Sequence, residues 1–305
     1  MIVEKLKGAF TALITPFDER NRVDVPALKR LVERQIQQGI NGLVPCGTTG
    51  EAPVLSVDEQ EVVVRTVIEV TAGRVPVVAG TGSNNTAATA AQTARARTWG
   101  VDAALVVCPY YNKPTQEGLY HHFKAVAEDG GLPVIAYNVP GRTITDLQPE
   151  TLGRLQSDGH IVAVKDATAS MIRTTETVGA LDPRKPFALM SGDDFTILPF
   201  VACGGVGVIS VASNIAPGDV SRLVALSAEA NYAEARPLHA RVLSFSRVLF
   251  SAPNPTPIKA ALALAGWCRP DCRLPLLTAD AKMMAAVRKG LAAYAGTDDF
   301  EGYMS

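Results

Sequence analysis

Lys165 closes an apolar run, Ile161-Val162-Ala163-Val164. A lysine held at the end of a buried strand is partly desolvated, which disfavours its ammonium and lowers its pKa. The neutral amine can attack a ketone and form an imine. Once protonated, that imine is an electron sink and makes the adjacent carbon acidic. A strand-end lysine can also snorkel to water or pair with its neighbour Asp166, and the residue alone does not separate these roles. Tyr137 closes a second apolar run, Pro133–Tyr137, where its hydroxyl could pass protons if another hydroxyl relays them. Tyr110 and Tyr111 follow a third run and are candidates for that second hydroxyl, although each also suits plain aromatic packing. Thr48 and Thr49 lie between Gly47 and Gly50, a turn whose backbone N–H groups could hold a carboxylate or simply start a helix. Arg142, five residues after Tyr137 in a Pro-Gly turn, is a bidentate carboxylate ligand or a solvated surface charge.

These residues share a position: each follows a short apolar segment. Strands are expected at Ala9–Ile14, Gly42–Pro45, Val75–Ala79, Ala103–Val107, Pro133–Tyr137, Ile161–Lys165, Phe187–Ser191 and Val206–Ser210. They are continuously apolar, as parallel strands covered on both faces are. Helical patterns separate them: Val25–Gln38, Asp58–Thr71, Thr86–Trp99, Thr115–Glu128, Pro149–Leu155, Ser170–Ala180, Asp194–Ala202 and Pro217–Ala228. Eight such units make an α/β chain of the (β/α)8 TIM-barrel class, in which active sites lie at the carboxyl ends of the strands. A doubly wound sheet gives a similar alternation. The expected division is a barrel over residues 1–229 and a C-terminal helical region over 230–305. That region carries helices at Ala233–Phe250, Pro257–Ala265 and Ala279–Tyr294, the first two parted by Pro253, Pro255 and Pro257.

Composition narrows the partners. Of 305 residues 47% are hydrophobic and 19% charged, enough to bury a sizeable core and too apolar for disorder. With 29 basic against 30 acidic residues and no basic stripe, a nucleic-acid partner is not expected. The five cysteines, Cys46, Cys108, Cys203, Cys268 and Cys272, fit reduced structural thiols, and no second pair or His cluster completes a zinc site around Cys268 and Cys272. No metal is expected. His121 and His122 are read as surface residues of a helix. Gly204-Gly205-Val206-Gly207 precedes a strand instead of following one, so it is not a dinucleotide fingerprint. No signal peptide or membrane span is evident, and the cytoplasm is the expected location.

Taken together and in order, the motifs resemble those of the dihydrodipicolinate synthase/N-acetylneuraminate lyase family. The resemblance runs from Gly8-Ala9-Phe10-Thr11-Ala12-Leu13-Ile14-Thr15-Pro16-Phe17 to Asn254-Pro255-Thr256-Pro257-Ile258-Lys259. Gly47-Thr48-Thr49-Gly50-Glu51 and Tyr137-Asn138-Val139-Pro140-Gly141-Arg142-Thr143 are similar to the synthase branch. The resemblance implies a Schiff-base lysine at Lys165 and proton transfer by Tyr137, linked through Thr48 to a Tyr111 supplied by the neighbouring subunit. It implies that Thr49 helps hold the pyruvate carboxylate and that Arg142 holds the carboxylate of L-aspartate 4-semialdehyde. Gly192 and Ile209 would line the site through their backbones. A homotetramer without an organic cofactor is implied too, acting in lysine and diaminopimelate synthesis. A different acceptor, a 2-keto-3-deoxy sugar acid or a hydroxyproline-derived acid, stays open, as does a pyruvate-binding protein without turnover.

One departure concerns regulation. Lysine-sensitive members commonly have histidines matching Val57 and Gln60 and a glutamate matching Ala88. Here only Asn84 and Tyr110 match the effector site, so weak or absent inhibition by lysine is expected.

Overall fold

The structure, a computed structural model, describes residues 2–296. All eight expected strands form: β1 (Gly8–Ala12), β2 (Gly42–Val44), β3 (Val78–Gly80), β4 (Ala103–Val107), β5 (Val134–Asn138), β6 (Ala163–Asp166), β7 (Ala188–Ser191) and β8 (Gly207–Ser210). They pair in parallel in the order β2-β1-β8-β7-β6-β5-β4-β3. A single parallel bridge from Leu43 to Val77 joins β2 towards β3 and nearly closes the barrel.

The helices between and after them are α1 (Val25–Gln37), α2 (Val57–Thr71), α3 (Thr86–Trp99), α4 (Gln116–Gly130), α5 (Pro140–Thr143), α6 (Pro149–Ser157), α7 (Met171–Ala180), α8 (Ile197–Ala202) and α9 (Pro217–Ala228). Three more, α10 (Tyr232–Leu249), α11 (Thr256–Leu264) and α12 (Ala281–Ala295), form the C-terminal helical region, of which residues 297–305 lie outside the described ones. Local chemistry starts these helices where the sequence indicates. The Ser56 hydroxyl accepts from the Glu59 N–H, and the Glu59 carboxylate accepts from the Ser56 N–H, a reciprocal cap on α2. Asp24, Asn85, Thr115 and Ser170 cap α1, α3, α4 and α7 one-sidedly, each side chain accepting from a backbone N–H of the first turn.

The pleat decides what faces inward. Side chains alternate across a strand with a period of two. One buried cluster gathers Phe10, Val44, Leu105, Ile135, Tyr137, Ala163, Ala188, Met190 and Ile209 inside the barrel. A second gathers Ala9, Leu13, Leu43, Ala79 and Val208 under the helices. Ala163 points inward, so Lys165, two residues on, points inward as well. Asp166 has the opposite parity. It accepts from Thr168 and Asn138 on the outer side of the sheet, which removes the pairing of Lys165 with its own neighbour.

One reading is corrected. His121 is exposed, but His122 is 4% exposed and its Nδ1 lies 2.9 Å from the Thr86 hydroxyl of α3. Adjacent helical residues point about 100° apart. When one of them faces solvent the other can face the neighbouring helix, and here it does; burial pushes the His122 pKa down to about 4.

Candidate active site

The carboxyl ends of β2, β4, β5 and β6 surround the chemistry. Lys165 is 6% exposed, and its Nζ lies 4.3 Å from the centre of the Tyr137 ring on the adjacent strand, where Tyr137 and Lys165 are paired in register. Burial brings the Lys165 amine down from 10.5 to about 8, opposed by the carboxylates of Asp193 and Asp194 and assisted by Arg142. A share of neutral amine is therefore present near neutral pH. Burial also raises the Tyr137 phenol to about 12, with Arg142 and the Thr48 hydroxyl acting against the rise. Tyr137 keeps its proton at pH 7 and can donate it.

Beside Tyr137 opens a cavity of about 350 Å³, which Lys165, Gly192 and Ile209 do not themselves line. Thr48, Tyr110, Tyr137, Val139, Arg142 and Arg273 are among its walls. Arg142 is exposed on α5 and lines the cavity, a suitable place to meet an anion. Gly192 packs against the lysine: a Cβ there would sit 3.1 Å from Lys165 Cε and 2.7 Å from Ala167 Cβ. Its lack of a side chain lets the lysine stem pass. Ile209 is fully buried on β8, in the same inner cluster as Tyr137.

The structure does not bring every expected residue to this cavity. Thr49 is 2% exposed, and its hydroxyl accepts from the Asn254 side chain at 2.9 Å instead of lining the wall. Tyr111 is 87% exposed and does not line its own chain's cavity. Tyr110 lines the cavity, whereas Asn84 does not, its carbonyl accepting from the Asn112 side chain. Nearby Val57 is 42% exposed and Ala88 exposed, while the Gln60 amide is held by the carbonyls of Ala52 and Leu55 and by Gln92.

Sequence reasoning missed the girdle that holds the Gly47–Glu51 turn. Glu51 and Lys259, both fully buried, pair at 2.5 Å. Lys259 also donates to the Asp271 carbonyl, and Glu51 accepts from the Arg273 N–H. Arg273 in turn reaches Glu59, the Val54 carbonyl and the Asn21 carbonyl. The segment before α12 is thus tied to the loop that carries Thr48 and Thr49. The sequence held one clue: Lys259 is the only charged residue in Thr256–Leu264, and a charge in a buried apolar helix needs a partner. Among the described residues no group of three or more acidic, His or Cys side chains is gathered as metal ligands would be, and all five cysteines are free.

Comparison with known proteins covers the same span. A model of the dihydrodipicolinate synthetase family matches residues 5–294. The 4-hydroxy-tetrahydrodipicolinate synthase of Anaeromyxobacter sp. (strain Fw109-5) is 47% identical over 287 residues, 94% of this chain and 97% of that protein. Among solved structures, dihydrodipicolinate synthase from Thermotoga maritima superposes with a TM-score of 0.92 at 38% identity, covering 95% of this chain and 99% of that one. The enzyme from Aquifex aeolicus gives 0.91 at 42% identity, with 94% and 98% covered.

Proposed function

The chain belongs to the dihydrodipicolinate synthetase family, and from that premise we propose that it is a 4-hydroxy-tetrahydrodipicolinate synthase, a lyase joining pyruvate to L-aspartate 4-semialdehyde through an imine at Lys165. The observation that carries this reading is the buried, low-pKa Lys165 packed on the ring of Tyr137, which lines a cavity together with Thr48 and Arg142.

The neutral Lys165 amine attacks the C2 carbonyl of pyruvate. Tyr137 gives a proton to the oxygen that leaves as water, and the iminium remains. Loss of a C3 proton gives the enamine, whose C3 attacks the aldehyde carbon of the second substrate while the aldehyde oxygen takes up a proton. The amine of that substrate then attacks C2, closing the ring and releasing Lys165. Thr48 hands protons between Tyr137 and a second hydroxyl. Tyr111 suits that part when supplied by a neighbouring subunit of a homotetramer, being exposed in its own chain. The Thr49 hydroxyl, accepting from Asn254, keeps its own proton free to donate to the pyruvate carboxylate. Arg142 holds the carboxylate of the semialdehyde by a charge-assisted pair. Gly192 and Ile209 border the lysine and leave their backbones to the substrate. The reaction needs no organic cofactor in this scheme, and a cytoplasmic setting suits it. Among the described residues no helix is long and apolar enough to cross a membrane.

The test is turnover with pyruvate and L-aspartate 4-semialdehyde, compared with a 2-keto-3-deoxy sugar acid. Selective turnover of the semialdehyde is expected; an enzyme that forms the imine but uses only the sugar acid would move the assignment to another branch of the family.

Regulation follows from the rim. The α-ammonium of a lysine effector would meet the Ala88 methyl where sensitive relatives carry a carboxylate. Each missing charged hydrogen bond costs about 1.5–3 kcal/mol. Submillimolar lysine is therefore expected to leave turnover unchanged within about twofold, a margin well below that cost. Strong inhibition in a lysine titration would refute this reading of the rim.

A further inference from the structure

An iminium at Lys165 is a cation in a buried place, and a buried charge needs a countercharge. Pyruvate brings its own carboxylate, but the protein sets three more in this region: Asp193 and Asp194 act on the lysine, and Asp166 acts on Asp193. Two of them are occupied. Asp166 accepts from the Thr168 N–H at 3.0 Å, the Thr168 hydroxyl at 2.6 Å and the Asn138 amide at 3.4 Å. Asp194 accepts from the Ser210 hydroxyl at 2.5 Å and from the N–H groups of Val211 and Ala212 at 3.0 and 2.9 Å. These hold the loop after β8.

Asp193 differs. One side of its carboxylate accepts from the Ala169 N–H, while Oδ2 is buried and has no hydrogen-bond partner among the described residues. It directly follows Gly192, the residue against which Lys165 Cε packs. Of the charged groups acting on Lys165 it is the strongest, and it also acts on Tyr137. A carboxylate oxygen buried without a partner costs stability, so its retention next to the glycine that packs on the lysine calls for a use. We propose that Asp193 is the counter-ion of Lys165, a positioning residue that stabilises the cation at this nitrogen both as ammonium and as iminium. The inference rests on the imine reading above.

The groups facing Asp193 are Lys165 and Asp166 from β6, Tyr137 from β5, its neighbour Asp194 and the Ala169 N–H; Arg142 acts on Lys165 and Tyr137 from α5. Burial and Asp194 lift Asp193 to about 6, and Lys165 at about 8 stays above it. At pH 7 both groups are therefore mostly ionised, and each favours the charged form of the other.

This arrangement has an unusual pH signature. At neutral pH, pyruvate converts ammonium to iminium, the charge is conserved, and a counter-ion helps both states alike. At pH 9 the free amine is neutral, so forming the iminium creates the charge. An opposite charge at close range moves a pKa by about 1–3 units, about tenfold in population per unit.

The test uses the intact chain and Asp193→Asn. Competitive acetylation of Lys165, followed by peptide mass spectrometry across pH, gives the amine midpoint. It is expected near 8 in the unaltered protein and about one unit lower in the variant. Pyruvate needed for half-labelling with cyanoborohydride is expected to rise about tenfold at pH 9 but only about twofold at pH 7. Asp193→Glu should recover part of both. A variant that is folded by circular dichroism yet shows the unaltered amine midpoint, or equal losses at both pH values, would overturn the counter-ion role. Asp193→Ser serves as a second carboxylate-free variant should the amide unfold the loop. If the unaltered protein is never labelled by pyruvate, the imine reading itself fails, whereas the acetylation midpoint still reports on the Asp193–Lys165 pair.

Discussion

Tyr137→Phe is expected to lower turnover by about 10²–10⁴-fold while pyruvate can still be trapped at Lys165, because a positioned proton donor contributes about that factor. The phenol is buried, raised to about 12 and packed beside the amine, so it is protonated where the carbinolamine must lose water and the enamine must form. Phenylalanine keeps the ring that fills the barrel interior and removes only the hydroxyl. The fold should survive, since Tyr137 belongs to the inner cluster through its ring. Single-turnover kinetics with pyruvate and the semialdehyde, run beside a trapping assay, measure the effect. A variant with near-normal turnover would take Tyr137 out of the proton path.

Lys259→Ala is expected to destabilise the protein by about 3–5 kcal/mol, the range for removing one partner of a buried ion pair. Glu51 would be left fully buried, keeping the Arg273 N–H but losing the one ion-pair partner it has among the described residues. Lys259 also donates to the Asp271 carbonyl and lies 4.0 Å over the Phe17 ring, so several contacts go together. The double variant Glu51→Gln, Lys259→Met should recover much of the loss, because an apolar or neutral pair avoids the stranded charge. Urea titrations of the three proteins measure this. Equal stability of Lys259→Ala and the unaltered protein would mean that the pair is not buried as the structure has it. Since Glu51 anchors the loop of Thr48 and Thr49, weaker pyruvate binding should accompany the lost stability.

The barrel was legible because its strands are short and apolar on both faces, and because polar residues break in at their carboxyl ends. Lys165, Tyr137, Thr48 and Arg142 were singled out that way, and they lie close to one another in the fold. The limits of the reading are local. The third strand was expected to begin at Val75, but only the single bridge at Val77 precedes the strand that starts at Val78, and Pro76 has no N–H to donate. The helix expected over Asp194–Ala202 begins with a 3₁₀ turn at Asp194–Thr196, because the Asp194 carboxylate is turned inward to hold β8. The four-residue helix α5, which presents Arg142, is too short to have a period. Other features depend on residues far apart in the chain. Glu51 and Lys259 are separated by 208 positions, and Thr49 meets Asn254 across 205. No periodicity reports such pairs, although a lone lysine in an apolar helix hints at one.

The most direct measurement of the central claim is an intact-protein mass spectrum after incubation with pyruvate and borohydride, with Lys165→Ala alongside. A pyruvate-sized mass gain in the unaltered protein and none in the variant is the expected result. An unlabelled protein, or a variant labelled as fully as the original, would contradict the imine at Lys165.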